Sequence, residues 1–241
     1  MRLIRRLVRE FLDRIVIPLL IHIQYRVGVA LPTRTIHQEL AIRTAAECAD
    51  YVQEHMPKAL QFIAREQLWD YVWEKRNPNG LVAEFGVWNG YSINRFAKKT
   101  TETIYGFDSF VGLQEDWTGA DSGKGGFNRD GKLPPVAKNV RLFKGWFNDT
   151  LPRFLAEHAG PFVFIHIDCD TYESTLAVMN MLEARILVGT VIVFDDYFGY
   201  RGWRDGEYKA WQEFVSRTKL RYEYLGFSST GKVATRVTQI G

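Results

Sequence analysis

Pro161-Phe162-Val163-Phe164-Ile165-His166-Ile167-Asp168-Cys169-Asp170 is an almost unbroken apolar run that ends in acids, and Thr190-Val191-Ile192-Val193-Phe194-Asp195-Asp196-Tyr197 repeats the arrangement. Runs of this kind, without polar alternation, fit strands buried on both faces of a parallel sheet. Three more strand-like runs precede them, at Leu81–Val87, Thr103–Phe107 and Val140–Phe143, with helical or loop stretches between. The alternation predicts a doubly wound α/β sheet. Near the end of the chain, Arg221–Phe227 and Lys232–Thr238 are joined only by Ser228-Ser229-Thr230-Gly231, which predicts a hairpin with one strand antiparallel to the rest.

Upstream of the sheet, Ile36–Tyr51 and Ala59–Trp73 read as helices separated by Met56-Pro57, and Asn77-Pro78-Asn79-Gly80 stops the second. Val111–Pro135 holds six glycines and two prolines and has no periodicity. Ordinary connections run to about 4–6 residues, so a loop of this length is expected to act as a lid or binding element over the site.

Composition excludes several classes. Of 241 residues 46% are hydrophobic and 24% charged, which suits a globular core and not a disordered or fibrous chain. The net charge of +3 is carried by residues 1–14, where Arg2, Arg5, Arg6, Arg9 and Arg14 face Glu10 and Asp13. The remainder holds 26 basic and 26 acidic residues, so the body offers no general attraction to nucleic acid. Cys48 and Cys169 lack metal-ligand spacing, and two isolated cysteines favour a reducing compartment, the cytoplasm.

Leu3, Ile4, Leu7, Val8, Phe11, Leu12, Ile15, Val16 and Leu19 recur at helical spacing among the arginines. Residues 1–35 thus read as an amphipathic helical segment and 36–241 as the catalytic domain. The apolar stretch Ile15–Ile21 contains Pro18 and falls far short of the ~20 residues that span a bilayer. Three roles fit residues 1–23: a secretory signal, a helix packed on the domain or on a second subunit of a homo-oligomer, and a helix lying peripherally on an acidic membrane. Glu10, Asp13 and Arg26 count against the first.

Chemistry gathers at the ends of the predicted strands. Glu84-Phe85-Gly86-Val87-Trp88-Asn89-Gly90-Tyr91-Ser92 is a strand-to-helix turn whose Gly86 and Gly90 would let backbone approach a cofactor, although any tight turn there also needs glycine. Asp108, at the tip of the next strand, is placed to hold ribose hydroxyls of either a nicotinamide cofactor or S-adenosylmethionine. The pyrophosphate fingerprint would want glycine at 88 and 91, where Trp88 and Tyr91 stand, and S-adenosylmethionine has no pyrophosphate to place. Asp168, Asp195 and Asp196 end adjacent strands, and three converging carboxylates call for a hard cation, Mg²⁺ or Mn²⁺. The competing reading makes them helix caps. His166, His158, His55, His37 and His22 lack ligand spacing and read as structural or surface residues, and Tyr197, Trp203 and Trp211 read as core rather than pocket.

A mostly parallel sheet closed by a hairpin is how class I methyltransferases end, with a Rossmann-like doubly wound sheet and extra N-terminal helices. The stretches Glu84–Gly90, Phe107–Leu113, Lys144–Pro152, Asp168–Thr175 and Asp195–Tyr197 together resemble the macrocin, mycinamicin and noviose sugar O-methyltransferases. The resemblance implies S-adenosylmethionine bound around Glu84, Gly86, Gly90, Ser92, Asp108, Ser109, Gly145 and Trp146. It also implies Mg²⁺ on Asp168, Asp195 and Asp196, Asp168 as proton acceptor, and a small-molecule hydroxyl acceptor such as a sugar or glycosylated product. Trp88 stands where methyltransferases usually have glycine. A nicotinamide-dependent oxidoreductase and a non-catalytic cofactor-binding protein are the rival expectations.

Overall fold

The structure, a computed structural model, describes residues 11, 15, 16, 35–120 and 122–241. The expectations placed on residues 1–23 fall outside the described residues, apart from three isolated positions. The chain divides into two compact units, Met1–Ile42 and Arg43–Gly241, and the sheet belongs wholly to the second. No described helix is long and apolar enough to cross a membrane.

In chain order the elements are α1 (Ile36–His55), β1 (Leu60–Phe62), α2 (Arg65–Trp73), β2 (Leu81–Phe85), α3 (Tyr91–Ala97), β3 (Ile104–Asp108), β4 (Val140–Lys144), α4 (Phe147–Glu157), β5 (Phe162–Ile167), α5 (Tyr172–Leu182), β6 (Ile186–Phe194), α6 (Glu207–Thr218), β7 (Arg221–Ser228) and β8 (Val233–Gln239). Thr35 and Gln38 start α1 with a capping box: Thr35 Oγ1 accepts from the Gln38 amide at 3.2 Å while Gln38 Oε1 accepts from the Thr35 amide at 2.9 Å.

The eight strands lie in the order β1-β7-β8-β6-β5-β2-β3-β4. Among the described strands every pair is parallel except β6–β8 and β7–β8, so β8 runs opposite to the rest and the expected hairpin is present. All six residues of β5 are buried, as a central strand covered on both faces requires. Alternate side chains feed two cores. Phe85, Phe107, Ile165, Ile167 and Phe194 pack toward one face, and Val82, Phe164, Val191 and Val193 toward the other with Trp69, Trp73 and Phe96. Tyr197, Trp203 and Trp211 are fully buried in the first of these cores, as expected.

One stretch departs from its expectation. The run from Ala59 does not begin a helix: Leu60–Phe62 pairs in parallel with Gly226–Ser228 of β7, and the helix starts only at Arg65. Gly226 makes room for this edge strand, since a Cβ there would stand 2.9 Å from the Leu60 carbonyl oxygen and 2.9 Å from the Phe62 ring. Tertiary pairing thus overrides a helical pattern.

Strand order reverses between β2 and β5, and ligands of doubly wound sheets bind outside the carboxyl ends at such a point. Backbone bonds lock these ends together. Asp168 N–H donates to the Phe85 carbonyl at 2.8 Å, Gly86 N–H to Phe107 at 2.9 Å, and Asp195 N–H to Ile167 at 2.9 Å.

Candidate active site

A cleft opens at the reversal point. Its floor is made by Gly86, Asp108, Gly145, Asp168 and Asp170, and the long loop walls it with Gly112, Leu113, Gln114 and Phe127. The loop thus lines the site, as its length predicts. It is also tied to itself: Leu113 N–H donates to the Gly126 carbonyl at 3.0 Å, Gly125 N–H to Leu113 at 2.9 Å, and Lys124 N–H to Asp116 Oδ1 at 2.8 Å. Midway along, Gly119 packs on Gly202, where a Cβ at 119 would stand 2.4 Å from the Gly202 nitrogen.

Five of the eight expected cofactor residues come together here, namely Gly86, Asp108, Ser109, Gly145 and Trp146. Asp108 uses its carboxylate to shape the turn after β2. Its Oδ2 accepts from the Val87 and Trp88 amides at 2.8 and 2.7 Å, and Oδ1 accepts from the Phe110 amide at 2.6 Å. A carboxylate offers about four lone-pair sites, so acceptor capacity toward a ligand is left. Trp88 has φ +42°, a left-handed conformation that favours glycine, and its half-exposed ring makes a T-shaped contact with Phe127 at 5.5 Å.

Glu84, Ser92 and Gly90 are placed elsewhere. Gly90 has φ +81° and lines a separate surface depression with Tyr91, Asn94 and Pro135. Glu84 and Ser92 are buried under the cleft, where Ser92 Oγ donates to Glu84 Oε1 at 3.0 Å and His166 Nδ1 lies 3.0 Å from Glu84 Oε2. The register explains this pairing, because Glu84 and His166 are direct neighbours across β2 and β5.

The three aspartates expected to hold a metal do converge. Asp168, Asp195 and Asp196 each bring a carboxylate oxygen within 4.8 Å of the others. Asp168 also lines the cleft, so it belongs to both features. The same region gathers groups the sequence reading missed. Glu207, at the start of α6, is fully buried and accepts from the Asp196 amide at 3.0 Å, while Asp170 is buried with φ +65°. Lys232, just before β8, puts Nζ 3.0 Å from Asp195 Oδ2 and 3.6 Å from Asp196 Oδ1. Arg65 Nη1 stands 3.6 Å from Asp195 Oδ2. The antiparallel register decides the position of Lys232: Val233 pairs with Phe194, so the preceding residue faces Asp195.

His166 lies between two acids. Its Nε2 is 3.6 Å from Asp195 Oδ1, beyond hydrogen-bond reach, and both of these buried atoms lack a hydrogen-bond partner. Burial disfavours charge on the imidazole, but Asp195 and Glu84 outweigh it and lift its pKa to about 10. Burial likewise opposes ionisation of Asp195, yet His166 and Lys232 hold it down to about 2. Burial and then the Asp195 charge drive Asp168 well above the usual carboxylate range, while burial and the Asp196 charge do the same for Asp170 and Glu207. Glu84, Asp168, Asp170, Asp195, Asp196 and Glu207 therefore outnumber the cations His166, Lys232 and Arg65. An uncompensated acidic excess with an orphaned Asp195 oxygen fits a hard divalent cation.

Residues 83–197, which contain both the cleft and the aspartates, match a family described as a methyltransferase domain. The relatives are those the sequence resembles. An 8-demethyl-8-(2,3-dimethoxy-alpha-L-rhamnosyl)-tetracenomycin-C 4'-O-methyltransferase of Streptomyces olivaceus is 31% identical over 166 residues, 57% of this chain and 58% of that protein. Demethyldecarbamoylnovobiocin O-methyltransferase of Streptomyces niveus is 27% identical over 150 residues, 50% of this chain and 54% of that protein. The chain thus spans little more than half the length of these curated relatives. The chain also shares its fold with the crystal structure of the calicheamicin methyltransferase CalS11, with a TM-score of 0.57 at 20% identity over 84% of this chain and 93% of that one.

Proposed function

We propose that the chain is an S-adenosylmethionine-dependent O-methyltransferase acting on a hydroxyl of a sugar or another vicinal-diol small molecule. The observation that carries this reading is Asp168, which at once lines the cleft and belongs to the carboxylate cluster. The names of the tetracenomycin and novobiocin relatives support a glycosylated acceptor.

In this reading Gly86, Asp108, Ser109, Gly145 and Trp146 hold the cofactor, with Glu84, Ser92 and Gly90 shaping the turn that carries them. The acceptor lies beside Asp168 with its hydroxyl in line with the sulfonium methyl. Asp168 takes the hydroxyl proton on its carboxylate. The oxygen forms the C–O bond as the methyl–sulfur bond breaks, and the electron pair returns to sulfur to give S-adenosylhomocysteine. Asp168, Asp195 and Asp196 would hold Mg²⁺ or Mn²⁺, which supplies Lewis acidity that lowers the pKa of a bound hydroxyl.

Transfer of labelled methyl from S-adenosylmethionine, screened against sugars, glycosylated natural products and catechols with and without Mg²⁺, tests the assignment. Absence of cofactor binding by calorimetry would overturn it. The arginine-rich residues 1–23 are proposed to contact an anionic membrane surface or a second subunit of a cytoplasmic enzyme. Salt-reversible sedimentation with anionic vesicles supports the first, and loss of mass in light scattering after their deletion supports the second.

A further inference from the structure

Among the described residues, the Asp195–Asp196 pair already has a cation. The Lys232 side chain is only 11% exposed, and its ammonium stands 3.0 Å from Asp195 Oδ2 and 3.6 Å from Asp196 Oδ1. These are two of the three carboxylates that would chelate a divalent ion. The lysine is held in place by the fold. β8 runs against β6 with Val233 opposite Phe194, and the hairpin closes through Ser228 N–H donating to the Lys232 carbonyl at 2.8 Å. Gly231 fixes the backbone next to it, because a Cβ there would fall 1.9 Å from the Phe198 carbonyl oxygen.

Two consequences follow from simple electrostatics. A buried ammonium between two carboxylates suppresses their repulsion, so the turn after β6 needs no metal to stay ordered. A divalent ion binding to the same carboxylates meets a positive charge within a few ångströms and is weakened by it. The other cations beside the pair touch one member only: His166 Nε2 stands 3.6 Å from Asp195 while its Nδ1 is engaged with Glu84, and Arg65 stands 3.6 Å from Asp195, whereas Lys232 reaches both aspartates. The orphaned Oδ1 of Asp195 and the orphaned Oε1 of Glu207 mark acceptor capacity that Lys232 leaves unfilled.

We propose that Lys232 is a positioning residue, the resident cation of the Asp195–Asp196 pair, which keeps the pair ordered without metal and sets a weak affinity for the divalent ion. The second clause rests on the divalent-ion reading above. The test measures Mn²⁺ binding by electron paramagnetic resonance on metal-free full-length protein, together with thermal melting. Lys232→Met is expected to bind Mn²⁺ at least about tenfold more tightly than the wild type, to melt lower without metal, and to regain more of its melting temperature on adding Mn²⁺. Lys232→Arg keeps the charge and should follow the wild type. If Lys232→Met does not fold by circular dichroism, Lys232→Gln carries the same expectation. Equal or weaker Mn²⁺ binding by the uncharged variants overturns the proposal. Binding by the variant but not by the wild type supports it while removing the metal requirement of the native enzyme, and binding by neither overturns both.

Discussion

Gly86 and Asp168 touch backbone to backbone: a Cβ at position 86 would lie 1.7 Å from the Asp168 carbonyl oxygen. The glycine after β2 therefore serves the join between two strand ends, and through that join it sets where the Asp168 carboxylate sits. Its φ of +89° adds a conformational demand of its own.

Gly86→Ala should consequently destabilise the protein by about 3 kcal/mol through clash and backbone strain, lowering the melting temperature by roughly 6–12 °C. S-Adenosylmethionine affinity should fall with it. A variant that melts within experimental error of the wild type would show that the two strand ends can part freely.

Asp108 organises the loop beyond β2 and faces the cleft, so its removal acts on both. Asp108→Ala is expected to cost ~1.5–3 kcal/mol of cofactor binding, on the order of 10- to 100-fold in Kd. Calorimetry reads this directly, and an unchanged Kd would take the carboxylate out of the cofactor site.

Glu84 distinguishes a cofactor contact from a buried support. Glu84→Ala leaves His166 charged and without its 3.0 Å partner, a loss of about 3–5 kcal/mol in stability. At temperatures where the variant stays folded, the S-adenosylmethionine Kd should change little. A selective loss of cofactor affinity with normal melting would return Glu84 to the cleft.

Chelation separates the two halves of the site. Excess chelator should abolish methyl transfer while cofactor affinity is largely retained, because the cleft around Gly86, Asp108 and Gly145 does not depend on the Asp195–Asp196 pair. Asp196→Asn should raise the Mg²⁺ concentration needed for half-maximal rate, since it removes an anionic ligand from a hard-cation site. Asp168→Asn should lower kcat far more than cofactor affinity. Full turnover in chelator would turn the three aspartates back into helix caps.

The sheet was legible because its central strands are apolar on both faces, and the hairpin because four turn residues separate two strand-like runs. Asp168, Asp195 and Asp196 were legible for the same reason, as acids that follow such runs on neighbouring strands. β1 was not, since three residues carry no periodicity and only the space above Gly226 makes Leu60–Phe62 a strand. Lys232 was hidden because its partner is set by register: shifting the β6–β8 pairing by one residue would carry it away from Asp195. Glu84 shares a motif with cleft residues, yet strand alternation turns its side chain to the opposite side of the sheet from Phe85, toward His166.

The long loop over the cleft brings a last consequence. Its cross-ties at Leu113–Gly126 and Asp116–Lys124 and its seat on Gly202 make it a prefolded wall. A flexible flap would lose conformational entropy each time a ligand bound, at roughly 1–2 kcal/mol per residue fixed. Here most of that loss is incurred when the protein folds, so cofactor capture carries only a small ordering penalty and binding strength can be set by the contacts themselves.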